Sequence, residues 1–390
     1  MGKAWKPKLT VALHKAGPLF QKFAHWAVLA TMHPQLPDMQ FVLTQDEVFL
    51  QEPLEHTLTT LNESGIHLES FNPVPLGVGC VAQVHEAVLK HTHVKVAVKV
   101  LKRNIHSQLE QDLPVLQTLS WWGQWLLPQL PIDLVETTSE FCHHLQQQCN
   151  LFNEYHNLTQ LQQQQPKRKR NQRPIQIVFP SPLLATTHVL VETLHSTSIP
   201  LSAFIQSAPQ AVRTDIANAL VRGFFEMCLS NNLAHADLHE GNILVTTNRD
   251  GKVKELVLLD AGLVSQLPPQ DKVKLTALLD CILLKGDVEA ATNLFLHDFA
   301  SITNGKGLAT KVKLVMDQES ERVMDTQSDV DVARVSQHLY QLMQDHHVTI
   351  HAPSFVPLFL AFSVVNGTIQ RHLDSNWNVC SYTYLLLDIL

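Results

Sequence analysis

The sequence predicts an α+β chain in two lobes, a small strand-rich lobe followed by a large helical one. Three observations carry this. Short apolar runs rich in β-branched residues cluster at 73–102 and 175–192. From Asp271 onward apolar residues recur at helical spacing, over 271–285, 288–299, 309–323, 330–344 and 355–370. Between the two regions lies His235-Ala236-Asp237-Leu238-His239-Glu240-Gly241-Asn242, a polar stretch set against two strand-like runs.

The first helical pattern covers 11–32, where Val11, Leu13, Leu19, Phe20, Phe23, Trp26, Ala27 and Ala30 make a core-facing stripe. Pro34 and Pro37 end it, and Thr44-Gln45-Asp46-Glu47 has the form of a capping box opening a helix near Val48. The segment 75–84 then reads Gly77-x-Gly79-x-x-Ala82-x-Val84. Two glycines let a backbone close over phosphates, and Val84 is placed to pack on a base. Val94–Val100 alternates as a strand and carries Lys99. A lysine inside an apolar strand is costly to bury unpaired, so it either snorkels at the strand edge or contacts α- and β-phosphates with a carboxylate to hold it. Residues 136–163 look helical and hold two candidate carboxylates, Glu140 and Glu154. Gln162–Arg173 runs from glutamines into Lys167-Arg168-Lys169-Arg170 and is expected to be an exposed insertion.

Val189-Leu190-Val191-Glu192 is a short buried strand leading into a polar stretch. An interlobe hinge falls there, and around Glu192 backbone groups are free to meet an adenine. Asp215–Leu229 is a strongly apolar helix. Ile243–Val245 and Leu256–Leu259 pair as a hairpin with Asp250-Gly251 as its turn signal. Asp237 and Asn242 precede the first run and Asp260-Ala261-Gly262 follows the second, so one side of the hairpin presents two carboxylates and a carboxamide. Hard oxygen donors suit Mg²⁺, which shares its shell with phosphate oxygens. His235 and His239 have the spacing of two metal ligands on a helix, a third reading that Gly241 and the strand signals oppose. The expected domains are a helical extension (1–70), a small lobe (71–192) with a helical insertion and a basic loop (162–173), and a helical large lobe (193–390).

The chain has 390 residues, 45% of them hydrophobic, and a formal net charge of −7. That is enough for a large core and gives no support for nucleic-acid binding. The six cysteines, at 80, 142, 149, 228, 281 and 380, form no C-x-x-C pair and read as reduced thiols. The longest apolar runs, Phe355–Val365 and Tyr384–Leu390, are too short to span a membrane. Five lysines precede the first acidic residue, Asp38. That hints at a transit peptide but lacks its arginines and serines, so no clear targeting peptide is read. Lys6 excludes a myristoylation signal after Met1-Gly2.

Taken together, these motifs resemble the UbiB/aarF-domain atypical kinase family over about Lys22 to Asn378. The resemblance rests on the His235–Asn242 loop, on Gly286-Asp287 and on Gly367-Thr368-Ile369-Gln370-Arg371-His372-Leu373-Asp374. It implies a bilobal protein-kinase-like fold. It also implies that Lys99 is the phosphate lysine, Glu154 its helix partner and Asp237 the catalytic-loop aspartate, with Asn242 and Asp260 as Mg²⁺ ligands. ATP is the implied cofactor, with Gly77, Gly79, Ala82, Val84 and Glu192 around the nucleotide. The implied setting is mitochondrial, in coenzyme Q or lipid metabolism, with coenzyme Q biosynthesis proteins and a lipid or membrane surface as partners. Three departures stand out. The family's Lys-x-Gly-Gln motif, on a helix that covers the substrate site, reads Lys22-Phe23-Ala24-His25. Its Glu-x-Asp motif reads Gln148-Cys149-Asn150, and its alanine-rich nucleotide loop carries Gly77 and Gly79. These leave two expectations, a phosphotransferase or ATPase and a catalytically weak nucleotide-sensing scaffold.

Overall fold

In a computed structural model the described residues are 6–17, 19–24, 51–126, 133–164, 175–281, 285–302, 307–326, 332–350 and 356–373. The chain begins with helix α1 (Lys6–Ala16) and a short helix α2 (residues 19–24). The expected single stripe over 11–32 is therefore broken. Gly17 has φ +108°, a left-handed conformation that glycine tolerates and that ends α1. Val11 is exposed and Leu19 is buried, so only the second piece faces the core. The expected breakers Pro34 and Pro37 and the capping box 44–47 lie outside the described residues.

Helix α3 (Leu54–Glu63) leads into the small lobe's sheet: β1 (Leu68–Phe71), β2 (Gly77–Val78), β3 (Ala82–Leu89), β4 (Lys95–Leu101), β6 (Pro182–Ala185) and β7 (Val189–Thr193). The antiparallel order is β1-β3-β4-β7-β6, with β2 paired to β3. Because β1 starts at Leu68, the boundary expected at residue 70 falls inside a strand. Alternation splits this sheet into two faces. Val96, Val98, Val100, Val189 and Val191 pack with Leu61 of α3 into a small core. Lys99 and Leu101, with Leu190 and Glu192, point to the other face. Gln83 ties α3 to the sheet by donating to Thr57 Oγ1 at 2.8 Å.

Between β4 and β6 run α4 (Ile105–Leu126), α5 (Leu134–Gln148), α6 (Leu151–Gln164) and β5 (Gln176–Val178). The helical span expected over 136–163 is made of two helices. α5 is capped by Asp133, whose Oδ1 accepts from Val135 N and Glu136 N at 2.9 Å each. α6 starts after Asn150, whose Oδ1 accepts from Phe152 N at 3.1 Å. Gln162 does not belong to an exposed insertion. It lies on α6 and donates to the carbonyls of Phe179 and Pro180 at 3.2 and 3.0 Å. The basic residues 167–170 lie outside the described residues.

The large lobe follows β8 (Ile199–Pro200) and α7 (Leu201–Phe204). Its core helix is α8 (Gln210–Phe225), extended by a π-turn, Glu226–Ser230. Then come β9 (Ala234–His235), the hairpin β10 (Ile243–Thr247) and β11 (Val253–Leu258), and β12 (Val264–Ser265). The hairpin turn is as expected. Asn248 Oδ1 accepts from Asp250 N and Lys252 N, and Gly251 takes φ +76°. Its sheet runs β5-β11-β10-β8, with β5 parallel to β11. The strands on either side of the β6–β7 hairpin thus occupy the two edges of the large-lobe sheet. Helices α9 (Pro269–Leu279), α10 (Val288–Asp298), α11 (Leu308–Thr326), α12 (Val332–Asp345) and α13 (Val356–Thr368) complete the lobe. The small ribbon β13 (Ala300–Ile302) with β14 (Val348–Ile350) was not expected. Gly286 at φ +62° turns the chain so that Asp287 caps α10, which accounts for that motif. No helix among the described residues is long and apolar enough to cross a membrane.

Candidate active site

Lys99 lies on β4, opposite Val84 of β3 and Leu190 of β7, with its ammonium on the sheet face that meets α6. α6 buries Leu151, Glu154, Leu158 and Leu161 along one stripe, so Glu154 is carried into the interior by its helix. There Lys99 Nζ lies 3.0 and 2.8 Å from the two Glu154 oxygens and 2.7 Å from Asp260 Oδ1. Of the two candidate carboxylates, Glu154 therefore holds the lysine. Glu140 is half-exposed and lies 4.0 Å from His144.

Burial works against the Lys99 ammonium, but Asp260 and Glu154 more than offset it and hold its pKa above the usual lysine value. Burial pushes Glu154 up to about 7 against the pull of Lys99. Asp260 is held well below the ordinary carboxylate range: burial opposes this, and Lys99 outweighs it.

Asp260 has φ +57°, a strained backbone for a residue with a side chain. The corner is held from two sides. Asn157, one turn beyond Glu154 on α6, donates to Ala261 O at 2.8 Å, and Gly262 N donates to Asp260 Oδ1 at 3.3 Å. A Cβ at Gly262 would stand 3.1 Å from Asp260 Oδ1 and 3.5 Å from both Gln148 Cγ and Glu154 Oε2. Glycine is what allows these side chains to converge. Asn157 and Gly262 were not singled out from sequence, although Asn157 lies three residues from Glu154 and so on the same helix face.

The loop 235–242 is positioned by its first residue. Buried His235 gives its Nε2 to Leu259 O at 2.8 Å, and its Nδ1 accepts from Asp237 N at 3.2 Å. Both ring nitrogens are engaged, and burial lowers its pKa, so the ring is neutral. The zinc reading loses both ring nitrogens of His235, and His239 Nδ1 accepts from Gly241 N at 3.1 Å. Among the described residues, no three His, Cys, Asp or Glu side chains form a metal cluster. Asn242 Nδ2 donates to Asp237 O at 2.9 Å, a bond that leaves its side-chain oxygen out. The C-terminal motif also finds its place here. Thr368 Oγ1 donates to Leu238 O at 3.2 Å, and His372 Nε2 meets Glu240 Oε1 at 3.1 Å.

α2 reaches into this loop. Lys22 Nζ lies 3.5 Å from Asp237 Oδ2 and donates to Gln148 Oε1 at 3.0 Å. Phe23 seats the helix on Phe141 of α5, with ring centroids 5.3 Å apart. Burial would raise the Asp237 pKa, but Lys22 and then His239 hold it below the usual value.

Ala82 and Val84 share the sheet face of Lys99, and β2 turns into β3 with Gly79 N donating to Ala82 O at 2.8 Å. A Cβ at Gly77 would meet nothing within 4 Å, so the protein's own packing does not demand glycine there and the space above the hairpin is open. Glu192 lies opposite Ala97 on β7, 7% exposed, with Oε2 unpartnered. The donors fit a hard divalent cation with phosphates: Asp260, whose side chain is 41% exposed, and the Asn242 oxygen, with no thiol or ring nitrogen between them.

Comparison with known proteins gives the family and the fold. The profile of the ABC1 atypical kinase-like domain matches residues 49–295. The mitochondrial ABC1 family protein C21C3.03 of Schizosaccharomyces pombe is 24% identical, covering 93% of this chain and 62% of that protein. The mitochondrial ABC1 family protein YPL109C of Saccharomyces cerevisiae is 22% identical over 95% of this chain and 66% of its own. The probable protein kinase UbiB of Erwinia tasmaniensis is 27% identical over 68% of this chain and 49% of its own. The chain thus spans less than two-thirds of the length of these curated relatives. Among solved structures, that of the Rv3197–erythromycin complex from Mycobacterium tuberculosis shares the fold. It has a TM-score of 0.58 and 17% identity, covering 83% of this chain and 80% of that one. With a match to more than half of its residues, this chain belongs to the ABC1 (UbiB-type) atypical kinase-like family.

Proposed function

We propose that the chain binds Mg²⁺-ATP between its lobes and transfers the γ-phosphate to water or to another acceptor. The observation that carries this is the convergence of Lys99, Glu154 and Asp260, three residues from three separate segments, at 2.7–3.0 Å. Glu154 orients Lys99 toward the α- and β-phosphates, and the Gly77–Gly79 hairpin closes over them. Asp260 and Asn242 are the metal's ligands, and Mg²⁺ supplies charge neutralisation at the phosphate oxygens. Asp237 orients the attacking hydroxyl, since its low pKa keeps it an acceptor.

A second reading, a nucleotide-sensing scaffold with little turnover, is favoured by Lys22, which occupies Asp237 Oδ2. Its partner Gln148 supplies a hydrogen bond where the family has a carboxylate. The names of the fungal relatives support a mitochondrial setting, and the family resemblance implies a role in coenzyme Q or lipid metabolism. We extend both to this chain, with coenzyme Q biosynthesis proteins and a lipid surface as candidate partners. We infer from the resemblance that, within the family, it is most like the second vertebrate aarF-domain paralogue.

The test is thermal unfolding with Mg²⁺-ATP and Mg²⁺-ADP beside Asp260→Asn. Ligand at about 100 times its Kd adds about 2.7 kcal/mol of stability, and the shift should require Mg²⁺ and vanish in the variant. No shift in the native protein would refute the nucleotide reading. With binding shown, turnover that is lost in Asp237→Asn identifies the phosphotransferase. Turnover no higher than in that variant identifies the scaffold.

A further inference from the structure

Glu192 is a carboxyl group that the steps above leave unused. It is 7% exposed, and its Oε2 is buried with no hydrogen-bond partner. An orphaned polar atom of this kind has lost its water without gaining a partner. Its place in the sheet is specific. Glu192 pairs with Ala97 while Lys99 pairs with Leu190, so both side chains leave the same face. One strand across (about 4.8 Å) and two residues along (about 6.7 Å) put their backbones roughly 8 Å apart. Glu192 lies on the linker side of Lys99. From Thr193 the chain passes to β8, which joins the large-lobe sheet at Val245 and Leu244. With phosphates on Lys99, a ribose spans toward the linker and the base arrives at Glu192.

We propose that the Glu192 side chain reads the nucleobase, accepting a hydrogen bond from the N6 amino group of adenine and donating one to its N7. The inference rests on the nucleotide reading above and deepens it. Three groups on three elements set the protonation that this requires. Burial comes first, then the carboxylates of Glu154 on α6 and Asp260 beyond β11, against the pull of Lys99 on β4. Together they push Glu192 up to about 8. A protonated carboxyl offers one donor and one acceptor, the same pattern as the carboxamide of Asn or Gln, which pairs bidentately with adenine N6 and N7. On the same edge guanine presents two acceptors, N7 and O6, and leaves the carboxyl's acceptor facing an oxygen. The group therefore favours ATP over GTP from its side chain alone, independently of backbone contacts in the linker.

The experiment measures Mg²⁺ complexes of three nucleotides by calorimetry: ATP, the purine riboside triphosphate lacking the 6-amino group, and 7-deaza-ATP. Each is titrated into the native chain, Glu192→Gln and Glu192→Leu. Native protein should bind each analogue roughly tenfold more weakly than ATP, one hydrogen bond at a time. Glu192→Leu should bind ATP more weakly by tenfold or more and treat all three alike. Glu192→Gln, which keeps the donor and the acceptor, should keep the discrimination. Thermal unfolding without nucleotide checks that the variants fold. Should Glu192→Leu fail that check, Glu192→Gln decides. Discrimination in Glu192→Leu equal to native, or its loss in a folded Glu192→Gln, overturns the proposal while leaving the nucleotide site standing. If native protein binds none of the three, the nucleotide reading fails and this inference fails with it.

Discussion

Removing the Lys99 charge tests the centre of the site through stability alone. Lys99 and Glu154 side chains are 8% and 3% exposed, so Lys99→Met leaves a buried carboxylate with no cation. Asp260, at 41%, can turn to water, so most of the penalty falls on Glu154. At 2.8 Å and an effective dielectric of about 20 the lost Coulomb attraction is about 6 kcal/mol, before the desolvation that the native pair already bears. Breaking one side of a buried pair costs about 3–5 kcal/mol, the figure expected at pH 8. Glu154 titrates near 7 even with Lys99 present, and without the lysine its pKa rises further. At pH 5 the carboxyl is neutral in both proteins, so the cost should fall by about 1.4 kcal/mol, the one pH unit from 7 to 8 over which the native carboxyl alone ionises. Lys99→Met with Glu154→Met replaces the pair by apolar side chains and should recover most of the loss. Guanidinium unfolding at pH 8 and pH 5, with m-values compared, measures all three. A single-variant cost under about 1 kcal/mol at pH 8, or a pH-independent cost, would refute the reasoning.

Three further outcomes are expected. Gly262→Ala forces a methyl to within 3.1 Å of Asp260 Oδ1, so it should cost about 1 kcal/mol in denaturation and abolish the Mg²⁺-dependent nucleotide shift. Lys22→Met frees Asp237 Oδ2 from a partly exposed ion pair. Denaturation should show a loss of under about 1 kcal/mol, while ATP turnover rises; unchanged turnover would mean that Lys22 is no brake. Glu192→Gln changes the pH profile of the free protein. A carboxyl raised from 4.5 to about 8 takes up a proton on folding. Its contribution is full below about 4.5 and is lost as pH rises through about 8, at about 1.4 kcal/mol per pH unit between them. Urea midpoints across pH 5–9 should lose that slope in the variant.

What could be read from the chain alone was mostly local. The β10–β11 hairpin was legible because its turn signal, Asp250-Gly251, lies between two apolar runs. The break between α5 and α6 was readable in principle, since Asn150 is an ordinary N-cap, but the helical pattern on both sides hid it. α4 escaped for a related reason. Its buried residues, Ile105, Leu109, Leu113 and Leu116, have helical spacing. Exposed Leu119, Trp121, Trp122 and Trp125 blur that stripe. Within the site, motif spacing pointed to Lys99, Asp237, Asn242 and Asp260. The choice of Glu154 over Glu140 needed the family likeness, because both are carboxylates on a helix and only packing puts one against Lys99. Lys22 on Asp237 joins positions 215 apart in sequence, and no local pattern specifies such a contact.

The two edge strands of the large-lobe sheet constrain how the lobes can move. β5 enters the β6–β7 hairpin from one edge and β8 leaves it at the other. With four strands in the sheet, these anchor points stand about 14 Å apart. A single covalent tether would let one lobe swivel about any axis. Two separated pins leave one easy rotation, about the line that joins them, and resist twisting across it. Any opening of the cleft would therefore follow one axis, as a door follows a pair of hinges, and closing would return Lys99 to the same spot over Asp260.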